Sequence, residues 1–451
     1  MFVRLLALCA SAIATTDPAT LRHCLTTAVD HDPTGAAFEG DFLYQAHAVQ
    51  PYNLNWPVTP AAVTFPHTSH HVAAVVRCAT TYTDTRYRQS QGGHSYGNYG
   101  LGGTNGAIVV DLRHLKDRRG LLTGELDTRL FDAGHQAIAH GTSPQIGVGG
   151  HTTIGGLGPF ARQWGMTLDH VVAAEVVLAN GTIVHASGDH HRDVLFAIQG
   201  ARGSFGIVTE FVLRTAPREA IAYTYTIDLS GSSSRARLLR HRKFASVCVI
   251  TPAAMIISGT YFGPRAEFDA LGSAERIPGV TEATALVFTD WLGLVTHWTE
   301  QSILNVASDI PVSFYSRCLA FTEKTPLTDK GVGQIFEYLD TTPSGAVQWM
   351  VYFDLVGGAI GDVSINATAF AHRDVLLWTH SYALTLGPVS PTTYRFLDGL
   401  NDVVRQVTPG IEHRVYPGYV DPPLENPRLR RIKHQLDPDD LFHNPQGVLP
   451  V

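Results

Sequence analysis

The sequence predicts an α+β protein of two domains, and three observations carry that reading. At 451 residues with 44% hydrophobic content, the chain exceeds one ordinary domain and can bury a large core. Its first half mixes helix-period and strand-period segments around two glycine-rich loops. Beyond Pro217, alternating strands interrupted by helices read as an antiparallel sheet capped by helices on one side.

The first 20 residues, MFVRLLALCASAIATTDPAT, hold one Arg, a short apolar run and then small residues. That pattern reads as a secretory signal peptide over residues 1–18, cleaved between 14 and 18, with a buried N-terminal helix as the alternative. A secreted chain matures in an oxidising compartment, where Cys24 and Cys78, both in early helical patterns, can form a disulfide. Cys248 and Cys318 sit in apolar runs and are expected as buried thiols. Asn366-Ala-Thr fits a glycosylation acceptor, whereas Asn180-Gly-Thr looks like a hairpin turn. No other stretch is apolar and long enough to cross a bilayer, so no membrane partner is expected. The net charge is −7 and Lys and Arg are scattered, so no nucleic-acid partner is expected either. No metal site is expected, and the chain is expected to be a monomer.

In chain order, AAVTFP reads as a strand and SHHVAAVVRCAT as a helix burying Val72, Val75, Val76 and Cys78. A short strand near Tyr87 leads into the first loop, QGGHSYGNYGLGG, and AIVVDLRHL follows as a β-branched strand. TRLFDAGHQAIAHG reads as a helix ending at Gly134 and then a short strand. The second loop, VGGHTTIGGLG, precedes VVAAEVVLANGTIVHAS, a hairpin turning at Asn180-Gly181. HHRDVLFAIQGA is a helix, and SFGIVTEFVLRTAP is the strand that closes this half. Strands YTYTIDL, AMIISGTYF and WMVYFDLVGG then alternate with helices near FDALG, KGVGQIFEYL and TYRFLDGLNDVVRQV. The boundaries expected are 19–216 for a cofactor domain, 217–405 for a substrate domain, and 406–451 for a segment returning to the first.

Glycines let backbone N–H groups approach a bound phosphate and allow φ > 0 where a loop wraps a cofactor. Neither loop is a GxGxxG at the mouth of a βαβ unit, so a Rossmann site is not indicated. The order of motifs is more informative. SQGGHSYGNYGLGG, VVDL, HGTSPQIGVGGHTTIGGLGPFARQWGMTLDHVVAAEVVLANGTIV and FGIVTEF, with YPGYVDP (416–422) and DPDDLFHNPQGV (437–448), resemble one group of flavoproteins. These are the berberine-bridge-enzyme and glucooligosaccharide-oxidase-like proteins, in the PCMH-type FAD-binding, vanillyl-alcohol-oxidase superfamily. The likeness runs from about Leu21 to the end of the chain.

The resemblance implies a two-domain PCMH-type fold with FAD bound covalently through His94, whose neutral imidazole is a competent nucleophile. Relatives often add a second link through a Cys in an HGTC segment; here the segment ends in Ser143, which implies a single link. By position, Gly92, Gly93 and Ser95 from the first loop would touch the cofactor, as would Gly150, His151, Gly155 and Gly156 from the second. Asp169 and Ile207 would lie on the adenine side, with Tyr416 and Asn444 at the flavin. The proton acceptor in catalysis maps to Tyr419, paired with Asp354 of VYFDLVGG. A phenol with a pKa near about 10 is a poor base alone, so Asp354 must accept its proton or orient it. Tyr96 matches a substrate-facing position, and His380 of WTHSYAL matches a polar substrate contact. Trp349 is a candidate stacking platform for a sugar ring, with core packing as the alternative. Ile146 matches a residue that governs oxygen access.

Three segments, KDRRGLLTGELD, RARLLRHRKFAS and LENPRLRR, are short relative to this family. The function expected is a secreted FAD-dependent oxidation of the C1 hydroxyl of a mono- or oligosaccharide to a lactone, with oxygen reduced to hydrogen peroxide. Two rivals stay open: oxidation of a secondary metabolite with another electron acceptor, and a non-catalytic flavin- or carbohydrate-binding protein.

Overall fold

Apolar spacing fixes the first long helix. In SHHVAAVVRCATT the small and branched residues recur three and four apart, and helix Ser69–Thr81 buries Val72, Val75, Val76 and Cys78 as expected. Helix Pro18–Ala28 lies beside it, and a disulfide joins Cys24 to Cys78 across the pair. Cys248 and Cys318 are buried thiols that take no part in a disulfide. The computed structural model describes residues 18–81, 87–90, 93–115, 120–215, 220–227, 243–274, 280–304, 311–325, 327–411, 416–419, 426–443 and 445–450. The leader to residue 17, Gly92 and Asn444 fall outside the described residues, as do parts of all three short segments.

Fourteen strands among the described residues form three sheets. The first contains β1 (Ala36–Phe38), β2 (Ala62–Thr64), β3 (Tyr87–Ser90) and β4 (Ile108–Asp111), in the order β1-β2-β4-β3. β4 pairs in parallel with β2 and β3, and Ile108, Val109 and Val110 are fully buried, as a strand covered on both faces requires. The second sheet contains β5 (Val171–Val177), β6 (Ile183–Ser187) and β7 (Ile207–Leu213), antiparallel in the order β6-β5-β7. Its hairpin turns at Asn180-Gly181 as read from sequence, with Gly181 at φ +75.

The third sheet holds β8 (Ala220–Ile227), β9 (Phe244–Ile250), β10 (Met255–Tyr261), β11 (Val280–Phe288), β12 (Ser313–Thr322), β13 (Gln348–Leu355) and β14 (Val375–Thr385). It is antiparallel, in the order β11-β8-β10-β9-β13-β14-β12. One face carries Trp349, Val351, Phe353, Leu355, Leu319, Phe321 and Ala383 into a core with helices Asp329–Thr341 and Pro391–Val407. The period of two along a strand then sends Met350, Tyr352 and Asp354 to the other face. In register beside them are His380 and Tyr382 of β14 and Ser316 of β12.

The C-terminal segment returns to the first half. Asn426 caps helix Pro427–Leu436, and Leu429 and Ile432 pack with Phe196 and Phe205. Lys433, wholly buried, donates to the Ser204 carbonyl at 2.8 Å and to Asp437 at 2.6 Å. The helix near Thr128 runs Thr123–Asp132, and past a turn at Gly134 and His135, φ +115 and +58, the chain is buried over Ala137–Ala139 with a β-bridge at Ala137.

Candidate active site

The first loop leaves β3 and turns at Gly93, φ +68, which sets His94 against Tyr52: their rings stack with centroids 4.6 Å apart and 27° between planes. Side-chain amides hold this contact. Asn98, buried at φ +52, accepts from the backbone N–H groups of Tyr52 (3.1 Å) and Asn53 (3.3 Å). Its amide donates to the carbonyls of Asn53 and Trp56, each at 2.8 Å. Asn53 in turn donates to the Tyr96 carbonyl at 2.8 Å and to the Phe314 carbonyl of β12 at 3.1 Å, which ties the loop to the third sheet. Sequence reasoning passed over Tyr52, Asn53 and Asn98. The available signal was a Tyr-Asn-Leu-Asn run and a loop Asn, a residue type that tolerates φ > 0 and bonds to backbone.

The second loop is built around two buried histidines. His140 donates to the Gly141 carbonyl at 2.6 Å and to Asp127 at 2.8 Å; both partners are acceptors, so the ring carries two protons. Burial works against that charge, but the Asp127 carboxylate and the Gly141 carbonyl hold the His140 pKa above its ordinary value. Trp291 donates to the same Asp127 oxygen at 2.7 Å. The Gly141 N–H donates to Nε2 of His151 at 2.9 Å, and burial, with the His140 charge, pulls the His151 pKa down to about 3. His151 is therefore a neutral internal acceptor that shapes the loop.

Gly155 (φ +139) and Gly156 (φ +75) permit close packing: a Cβ at the first would lie 3.1 Å from the Tyr416 ring, and at the second 2.0 Å from Thr167 Oγ1. The Leu157 N–H donates to the Tyr416 hydroxyl at 3.1 Å. By contrast, a Cβ at Gly150 would meet nothing within 4 Å, and one at Gly93 only the Gln50 carbonyl at 4.0 Å. In the same stretch as Gly150 the hydroxyls of Ser143 and Thr152 are buried, with no hydrogen-bond partner among the described residues. Open backbone on two glycine loops and orphaned buried hydroxyls fit a large polar cofactor. Ile146 is half-buried in the same loop, its carbonyl accepting from Thr123 N–H at 2.9 Å.

Four assignments from sequence are corrected. Both carboxylate oxygens of Asp169 are engaged by Arg373, at 2.8 and 3.0 Å, and one also accepts from Met166 N–H, so it is an ion-pair partner and not an adenine contact. Ile207 is 0% exposed and packs in the first core, leaving no surface for a ligand. Trp349 stands an odd number of residues from Asp354, so it points to the helix side of the sheet, 5.7 Å from the Phe396 ring. His380 is 5% exposed, covered by rings on both faces, and bonded through Nε2 to Ser316 Oγ at 3.0 Å; it has no face left for substrate.

The remaining predicted residues converge. Tyr419 lies on a short 3-10 turn, Pro417–Tyr419, and its hydroxyl is 3.2 Å from Asp354 Oδ2. Tyr416 packs edge-on at 5.1 Å, and Tyr96 of the first loop lies 6.1 Å away. Burial pushes the Asp354 carboxyl up to about 6, with the Tyr419 hydrogen bond pulling partly back. Burial, then the Asp354 charge, holds the Tyr419 phenol well above its ordinary value. A protonated phenol thus faces a carboxylate that is ionised at neutral pH and ready to take one proton.

The FAD binding domain family matches residues 60–187, and the berberine and berberine-like family matches residues 425–449. FAD-linked oxidoreductase sorD of Penicillium rubens is 34% identical over 471 aligned residues, covering 95% of this chain and 98% of that protein. The chain belongs to the berberine-bridge-like FAD-linked oxidoreductases. Among solved structures, a chitooligosaccharide oxidase superposes with a TM-score of 0.84 at 27% identity, covering 96% of this chain and 100% of the other. The 6-S-cysteinyl, 8α-N1-histidyl FAD glucooligosaccharide oxidase of Acremonium strictum superposes with a TM-score of 0.81 at 26% identity, covering 96% and 99%. The family fold is the PCMH-type FAD fold, and the chain is an FAD-binding oxidoreductase acting on CH–OH groups. Among the described residues no helix is long and apolar enough to cross a membrane.

Proposed function

We propose that this oxidoreductase removes a hydride from the C1 hydroxyl carbon of a mono- or oligosaccharide, giving a lactone that hydrolyses to an aldonic acid. His94 would hold FAD by one covalent bond, and the bound flavin would supply the hydride acceptor, with oxygen taking the electrons to give hydrogen peroxide. Tyr419 takes the substrate hydroxyl proton while its own passes to Asp354 Oδ2, so the pair ends with a neutral carboxylic acid in a buried place. Tyr96 flanks the substrate, Ile146 borders oxygen access, and Gly93, Ser95, Gly150 and Tyr416 line the cofactor bed, with Gly92 and Asn444 assigned by sequence alone. The observation that carries the reading is the Tyr419–Asp354 contact beside Tyr96 and the His94 loop. Sugar-oxidase relatives support the substrate class, and Ser143 in place of a cysteine supports the single link. The Cys24–Cys78 disulfide supports passage through an oxidising compartment and hence secretion.

A specific observation favours a second reading, a mostly apolar secondary-metabolite alcohol. The surroundings of Asp354 are rich in rings: Tyr52, Tyr96, Phe314, Tyr352 and Tyr382 form one cluster with Met350. Sugar hydroxyls buried there would need polar partners. Anaerobic bleaching of the flavin decides between them. The sugar reading expects cellobiose, chitobiose or a related sugar to bleach it and peroxide to form on adding air. Bleaching only by an aromatic alcohol would install the second reading, and no bleaching by any alcohol would overturn both.

A further inference from the structure

We infer that His380 is a positioning residue that holds the Tyr419 phenol with its hydroxyl on Asp354, and that it does not itself touch substrate. The inference rests on the reading of Tyr419 as the base. A base must be aimed, because a misplacement of about 1 Å can cost about 10²-fold in rate. Tyr419 is poorly placed to aim itself. It lies on a three-residue turn, and among the described residues its backbone N–H bonds locally, to the Tyr416 carbonyl at 2.9 Å.

Orientation comes from three adjacent strands. β13 offers Asp354 to the hydroxyl at 3.2 Å. β14 offers the His380 ring to the phenol face, with centroids 4.0 Å apart and only 6° between planes. β12 offers Ser316, whose Oγ reaches the Tyr419 carbonyl at 3.4 Å and bonds His380 Nε2 at 3.0 Å. Tyr352 backs the imidazole on its other face at 5.5 Å and 21°. The imidazole is thus held at its nitrogen by Ser316 and backed by Tyr352, and the phenol lies flat against it.

The proton count agrees. One proton leaves the substrate hydroxyl for Tyr419 and one leaves Tyr419 for Asp354, so none lands on His380. Burial pulls the His380 pKa down to about 3, which keeps the imidazole uncharged in the working range. A cation stacked there would instead favour the phenolate and disturb the hand-over.

The test uses the full-length flavoprotein labelled with 3-fluorotyrosine and followed by fluorine NMR across pH 4.5 to 8. The Tyr419 resonance is the one that Tyr419→Phe removes. In the unmutated protein it shifts with a midpoint near pH 6, and Asp354→Asn abolishes that shift. His380→Phe, which keeps a flat ring, retains the midpoint and at least half of the shift; His380→Ala and His380→Leu lose the shift by fivefold or more. Retention of the full shift in His380→Ala or His380→Leu overturns the positioning role. Loss in His380→Phe as complete as in His380→Ala overturns it too, because the ring then does not suffice. Absence of any Asp354-dependent shift in the unmutated protein instead removes the Tyr419–Asp354 reading on which the inference stands.

Discussion

The buried carboxyl of Asp354 should set the lower pH limit of the reaction. Burial places its pKa at about 6, so the form able to take the Tyr419 proton falls from about nine-tenths at pH 7 to about one-tenth at pH 5. The rate of anaerobic flavin bleaching should therefore be flat above about pH 7 and fall about tenfold per unit below about pH 6. Asp354→Asn removes the acceptor, and the expected loss is about 10²–10⁴-fold, with no break left between pH 5 and 7. Stopped-flow bleaching with the best sugar of the panel, on both proteins, gives the comparison directly. The stability linkage has a definite sign. The folded-state pKa lies above the ordinary value of 3.8, so the stabilisation from this carboxyl is present at low pH and lost as pH rises through about 6. Asp354→Asn should accordingly gain in melting temperature relative to the unmutated protein across that window. A wild-type profile without a break between pH 5 and 7, or an Asn variant with the wild-type slope, would refute the proton-acceptor role.

Reducing the Cys24–Cys78 bridge, which spans 54 residues, should lower stability by about 4 kcal/mol on loop entropy. Mass analysis with thiol alkylation should find that bridge intact and Cys248 and Cys318 reactive only after unfolding, because both are buried. Asn98→Ala strands four backbone partners, two of them in buried bonds, and should cost about 2–4 kcal/mol in urea unfolding, with weakened flavin retention. Asp127→Asn leaves the His140 charge uncompensated and should cost about 3–5 kcal/mol, seen as a lower urea midpoint by Trp291 fluorescence.

Local patterning made much of this legible. The helix Ser69–Thr81, the hairpin at Asn180-Gly181 and strands β8, β10 and β13 of the third sheet follow from spacing, whereas β9, β11 and β12 were not read from it. Motif order identified His94, Tyr96, Asp354 and Tyr419, and the structure brings Tyr96, Asp354 and Tyr419 together. Trp349 could have been placed by parity, since it stands five positions before Asp354 on one strand. Asp169 and His380 could not, because their roles depend on Arg373 and Tyr419, which are distant in sequence. Asn53 and Asn98 were hidden for the same reason: an amide that bonds four backbone groups leaves no period, only a short polar residue in a loop.

The covalent bond between His94 and FAD is the claim on which the rest depends. Acid precipitation of the purified protein, followed by mass analysis of its flavin-bearing peptide, tests it. The colour should stay with the precipitate, one peptide containing His94 should carry the flavin through a single bond, and His94→Ala should release it. Colour passing wholly into the supernatant, or a flavin held as firmly in His94→Ala, would contradict it.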